Sequence, residues 1–186
     1  RMKLHILSDL HLSAGGLAHP HTDADVVVLA GDIARPAAAA AWARGFGKPV
    51  LYVIGNHEFY GSSLPEVRAE LRRLCAGTPV HLLDNDALVL GGVRFLGSTL
   101  WTDFRAHGEG ERQAEAMARS AAFMYDFRRV RVAAAADAPM LTPQDTVRLF
   151  EHNTLWLAAQ LAQPFAGPTV VITHHAPSTG SIHPRF

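Results

Sequence analysis

Four short runs, Leu4–Leu7, Val26–Ala30, Val50–Ile54 and Thr169–Thr173, carry aliphatic or β-branched residues on both alternations. A strand that is apolar on both faces needs a covering layer on each side, so the pattern selects a sheet packed between other layers. Each run also ends in polar residues of one chemical kind. The first is followed by Asp9-Leu10-His11, the second by Gly31-Asp32, the third by Gly55-Asn56-His57-Glu58 and the fourth by His174-His175. In open α/β sheets the carboxyl ends of the strands form the crevice where ligands bind. Four segments far apart in sequence are therefore expected to deliver these groups to one place.

Helical segments separate the strands. Pro36 to Phe46 is alanine-rich and stopped by Gly47 and Pro49. Ser63 stands three residues before Glu66, a capping-box spacing, and a stripe of Leu64, Val67, Leu71, Leu74 and Cys75 runs on to a stop at Gly77. Two short strands around Ala87–Leu90 and Val93–Leu96 are joined by Gly91-Gly92, a two-residue hairpin signal. Glu111 to Phe127 has a helical composition, and the region from about 105 to 140 is expected to be a helical excursion from a single domain spanning 1–186. A last helix opens at Thr142-Pro143-Gln144-Asp145, with an apolar stripe of Val147, Phe150, Leu157 and Leu161.

Composition removes several classes of function. Lys+Arg and Asp+Glu both number 17, so no global field attracts a nucleic-acid backbone or an anionic membrane. No apolar run approaches the roughly 18 residues that would cross a bilayer. A lone cysteine, Cys75, forms no internal disulfide, and its place on an apolar helical stripe marks it as a packing residue. A cytoplasmic setting is the expectation. Histidine is the unusual component, with 11 copies in a chain of 186 residues. It is the commonest metal ligand, so each position matters.

Carboxylate, imidazole and amide oxygen suit hard to borderline divalent cations and require no thiolate. Taken singly, every motif has an ordinary reading. Asp9 caps a turn, Gly31-Asp32 is turn chemistry, and the polar corner at Asn56 is a satisfied loop. His174-His175 pairs one core histidine with an exposed one. Together and in order at four strand ends, they point to a metal site. Asp32 is suited to bridge two cations, a pair that can activate water and clamp a phosphoryl oxygen. Gly31 and Gly55 keep bulk away from the site.

These residues resemble the calcineurin-like metallophosphoesterase family, whose blocks are D-x-H, G-D, G-N-H-[DE], a later His, and a terminal G-H-x-H. The first four are matched by Asp9-Leu10-His11, Gly31-Asp32, Gly55-Asn56-His57-Glu58 and His174, in a resemblance spanning Lys3 to Pro177. It implies a four-layer α/β/β/α sandwich. It further implies one metal on Asp9, His11 and Asp32, and a second on Asp32, Asn56 and His174. His57 becomes a catalytic residue beside the scissile phosphate, and Glu58 supports the site from behind. The implied cofactors are two divalent ions, drawn from Mn, Fe, Zn, Ni or Co, and the implied reaction is attack on a phosphomonoester or phosphodiester by a hydroxide bridging them. The partner is then a small phosphorylated substrate, with nucleic acid and membrane disfavoured.

The terminal G-H-x-H block has no match. The C-terminal strands of the second sheet are accordingly expected to be missing, leaving apolar strand faces for which a dimer is one solution. His183 is a weak stand-in for the missing ligands. His5, His19, His21, His81, His107 and His152 match no block and read as ordinary surface or core residues. Gly31-Asp32-Ile33-Ala34-Arg35 lacks the second Asp and the Arg-Gly of the protein phosphatases, and Arg35 stands where purple acid phosphatases carry a ligand tyrosine. Arg128, Arg129 and Arg131 read as a solvated patch that could also reach a substrate phosphate. The competing expectation is a non-catalytic scaffold that keeps the fold.

Overall fold

The computed structural model describes the backbone of residues 1–181 and every side chain among them except that of Ala14; His183 lies outside the described residues. The chain runs β1 (Leu4–Leu7), β2 (Val26–Leu29), α1 (Pro36–Arg44), β3 (Val50–Tyr52), β4 (Ser62–Ser63), α2 (Leu64–Cys75) and β5 (Val80–Leu82). It continues through β6 (Asp86–Leu90), β7 (Val93–Ser98), α3 (Glu111–Phe123), α4 (Asp126–Arg129), β8 (Val130–Arg131), α5 (Pro143–Leu161) and β9 (Thr169–Thr173). A four-stranded sheet has the order β1-β2-β3-β5, all parallel, with Leu4 opposite Val26 and Val27 opposite Val50. A second sheet has the order β6-β7-β9. In it β6 and β7 form an antiparallel hairpin closed at Leu90 and Val93, and β7 and β9 are parallel.

The period-two alternation of the strands builds the layers. Val27, Leu29, Val50 and Tyr52 face α1 and α2, where Ala39, Ala40, Ala43, Val67 and Leu71 complete one core. Val26, Val28, Leu51 and Val53 face the other way and pack on Phe95 and Ile172 of the second sheet. Leu96, on the far face of β7, packs with Leu157 of α5 and with Leu100. The result is the α/β/β/α sandwich, and Cys75 is buried in it as a packing residue. Among the described residues no helix is long and apolar enough to cross a membrane.

Three expectations need correction. β1 and β9 are sheet edges, so their outer faces are only partly covered: Ile6 is 64% exposed and Val171 42%. The inward face of α5 carries Thr146, Asn153 and Leu157, while Leu161 is 52% exposed, outside the cluster of Leu96, Leu100 and Leu157. Third, the helical composition of Glu111–Phe127 is broken at Met124, which turns to an extended conformation. In the segment from about 105 to 140, α3 buries no residue, whereas Asp126 and Val130 return to the interior and β8 pairs with β4.

Candidate metal centre

The carboxyl ends of β1, β2 and β3 lie side by side because the strands are parallel, and β9 of the second sheet ends beside them. Backbone hydrogen bonds extend the pairing into the loops. Asp9 N donates to Gly31 O at 3.0 Å, and His11 N donates to Asp32 O at 3.0 Å. Asp9, His11 and Asp32 all have positive φ, at 55°, 46° and 56°. Such sharp reversals turn side chains that would otherwise continue a strand toward the crevice. The two glycines act through close packing. A Cβ on Gly31 would collide with the His174 ring, and one on Gly55 would collide with Asp32.

Asp32 is the centre of the arrangement. It is only 4% exposed, and one donor group joins it to His11 and His57 while another joins it to Asp9 and His174, with the ligand atoms in each group within 4.8 Å of one another. His11 Nε2 and His57 Nε2 both lie 3.7 Å from Asp32 Oδ2, and His174 Nε2 lies 3.5 Å from Oδ1. The structure therefore brings five of the six predicted residues together in these groups, with Asp32 common to both. Its nearest groupings differ from the partition implied by the resemblance, since His57 sits with His11, and Asp9 with His174.

Asn56 joins through its amide. Its Oδ1 lies 2.9 Å from His174 Nε2, and the other imidazole nitrogen, Nδ1, lies 2.8 Å from the carbonyl of Ala30. A carbonyl only accepts, so Nδ1 carries the proton and, in a neutral ring, Nε2 offers a lone pair. That lone pair faces the lone pairs of Asn56 Oδ1, with Asp32 alongside. Such a convergence of acceptors around a buried carboxylate that has no Lys or Arg partner among the described residues is the chemistry of a cation site. The carbonyl that orients His174 is the kind of contact that fixes a ligating ring.

Two supporting residues, Asp126 and Tyr60, escaped sequence reading. Asp126, 4% exposed, accepts from Asn56 Nδ2 at 2.7 Å and so aims the amide oxygen at His174. Asp126 and Asn56 stand 70 positions apart, so no local pattern links them. Tyr60 stacks on His57 with ring centroids 4.3 Å apart. Burial, and next the charge of Asp126, push the Tyr60 hydroxyl well above its ordinary range. Glu58, 1% exposed, accepts from Tyr52 Oη at 2.7 Å, Ile33 N at 2.7 Å, Gly55 N at 3.0 Å and Asp32 N at 3.1 Å. It ties the ends of β2 and β3 together and is not within the donor groups. Burial pushes its carboxyl upward, against the pull of these donors. His175 points away, its Nδ1 3.1 Å from Thr99 O and its ring stacked on Trp101. Burial, with His174 beside it, holds that imidazole below its ordinary value.

A cavity of about 390 Å³ opens over this centre, lined by His11, Asp32, His57, Tyr60, Tyr125, Arg35 and Arg129. It is open to solvent, sets imidazole, carboxylate and guanidinium groups among aromatic and aliphatic surface, and is large enough for a phosphoryl group with a small substituent.

The chain is also similar to known proteins. An uncharacterized protein of Acanthamoeba polyphaga mimivirus is 25% identical over 134 residues, which cover 69% of this chain and 45% of the viral protein. The chain thus spans less than half the length of the curated relative that it matches. The calcineurin-like phosphoesterase family matches residues 2–185. With its parallel sheet, its two-sheet sandwich and its Asp and His residues gathered at the strand ends, this chain belongs to the calcineurin-like phosphoesterase family.

Proposed function

We propose that this chain is a metal-dependent phosphoester hydrolase acting on a small phosphorylated substrate, either a monoester or a diester. The observation that carries the reading is Asp32, a buried carboxylate that has, among the described residues, no basic partner other than imidazoles, and that is shared by two groups of ligand-type atoms under an open cavity. In the partition that the resemblance implies, Asp9, His11 and Asp32 would hold one divalent cation, and Asp32, Asn56 and His174 a second, although His11 stands nearest to His57 and Asp9 nearest to His174. When bound, the two cations supply an activated water and neutralise phosphoryl oxygens. The chain's own residues do the rest. Asp126 fixes Asn56, the Ala30 carbonyl fixes His174, and Glu58 holds the loops that present Asp32. His57 is half-exposed at the cavity wall, kept in orientation by Tyr60 and by the edge of His11 at 4.6 Å, where it can give a proton to the leaving oxygen.

The test pairs metal analysis with turnover of nitrophenyl phosphate and bis-nitrophenyl phosphate. Asp32→Ala should lose bound metal and all turnover. His57→Ala should keep its metal and lose kcat by roughly 100-fold or more, the usual contribution of a general acid. Undiminished turnover by Asp32→Ala protein would sink the reading, and metal retention without turnover by the wild type would leave a metal-holding scaffold instead.

A further inference from the structure

Beside the cavity over Asp32 lies a second groove of about 270 Å³, lined by Arg35, Arg128, Arg129, Arg131 and Ser62 among others. The two cavities share Arg35 and Arg129. Three segments bring the guanidinium groups together: the loop after β2 supplies Arg35, α4 supplies Arg128 and Arg129, and β8 supplies Arg131. Among the described residues, none of the four is in an ion pair with a carboxylate, although Arg68 and Arg72 pair with Asp84, Arg105 with Glu109, Arg119 with Glu115 and Arg148 with Asp145.

In a chain with equal numbers of acids and bases, four like charges in one concavity repel one another unless an anion joins them. Three of the four are also held in place. The Arg129 guanidinium lies 5.0 Å from the Tyr125 ring and 5.8 Å from the Tyr60 ring. Arg128 donates to the carbonyl of Ala122, and Arg131 donates to that of Ala138 at 2.9 Å. Rotamer freedom is thus restricted before any ligand arrives, which lowers the entropic cost of binding. Planar guanidinium forks match the oxygens of a phosphate group better than those of a small monovalent anion.

We propose that the substrate carries a second phosphate group, bound but not hydrolysed, in this arginine groove while the scissile ester lies over Asp32. The proposal rests on the phosphoesterase reading and adds the substrate class to it. Compounds of the nucleoside bisphosphate type, with two separated phosphates on one small scaffold, satisfy both cavities at once.

The experiment is calorimetric titration of the chain, with and without Mn²⁺, using adenosine bisphosphate (one phosphate on each of two ribose carbons) and adenosine monophosphate. The bisphosphate should bind at least about tenfold tighter, the scale of one lost charge-assisted hydrogen bond. The double variant Arg128→Ala/Arg131→Ala should bring the two affinities together. Equal affinities in the wild type, or a preference retained by the double variant, would overturn the proposal. Should that variant lose its thermal transition, Arg128→Lys/Arg131→Lys is read in its place, because it keeps the charge but loses the fork; an undiminished preference there also overturns the proposal. Turnover of the same compounds in Mn²⁺ separates the two readings. A preference without hydrolysis of either ester leaves the groove standing and the hydrolytic reading fallen, and hydrolysis without preference does the reverse.

Discussion

Asp9, His11 and Asp32 occupy a region of backbone space that costs most side chains energy, and each sits where a parallel strand must stop and present its next polar group. Aspartate and histidine enter that region more readily than other residues, so the types suited to ligation are also those suited to the turn. This is why Asp-x-His and Gly-Asp could be read from the sequence. Asp126 could not, because its role is defined only by Asn56, which reaches it across the fold at 2.7 Å. Replacing it leaves a buried amide donor unsatisfied, at a cost of about 1–3 kcal/mol, and frees the Asn56 amide to flip its nitrogen toward His174. Asp126→Ala should therefore lower the urea midpoint and reduce the bound metal by one equivalent per chain. Full stoichiometry with unchanged affinity in that variant would count against Asp126 as a positioning residue.

Local signals open the helices α2 and α5. Ser63 accepts from Glu66 N at 3.4 Å to open α2. At α5 the box is reciprocal, with Asp145 N donating to Thr142 Oγ1 at 3.2 Å and Thr142 N donating to Asp145 Oδ2 at 2.9 Å. Burial raises the Asp145 carboxyl, but the bonds from Thr142 and Arg148 outweigh it and leave the group below its ordinary value of 3.8. The sign follows from linkage: a depressed folded value adds stability above the unfolded pKa, and that stability is lost as the pH falls through the folded value. The loss belongs below about pH 4, close to the ordinary value of the group. Thr142→Ala should cost about 1 kcal/mol at neutral pH and narrow the acid loss, as read from thermal melts across pH. A variant matching the wild type at every pH would deny the cap that role. What local signals missed at this scale is partnership. Ile6 and Leu161 have the right periodicity for burial yet lie exposed, because burial depends on what another element places opposite them. The expected long helix after Glu111 likewise broke at Met124, where Asp126 and Val130 are drawn into the interior.

The proposed ligands come from both sheets, with Asp9, His11, Asp32 and Asn56 after strands of the first and His174 after β9 of the second. A cation bound here would tie the halves of the sandwich together and stabilise the native state by mass action, by about 2.7 kcal/mol at 100 times Kd. For a chain of this size that corresponds to a rise in Tm of roughly 5–10 °C, reversed by a chelator. The rise should be absent in Asp32→Ala. Equal melting of both proteins with and without Mn²⁺ would remove the metal site from the account. The sequence by itself determined the strands apolar on both alternations, the caps of α2 and α5 and the ligand-type residues at four strand ends, because these are properties of neighbours along the chain. Only the tertiary structure decided which strands became edges, how Asp126 and Glu58 hold the site, and that Arg35 joins Arg128, Arg129 and Arg131 in one groove. Those outcomes depend on side chains meeting across long sequence separations, and no local periodicity encodes such a meeting.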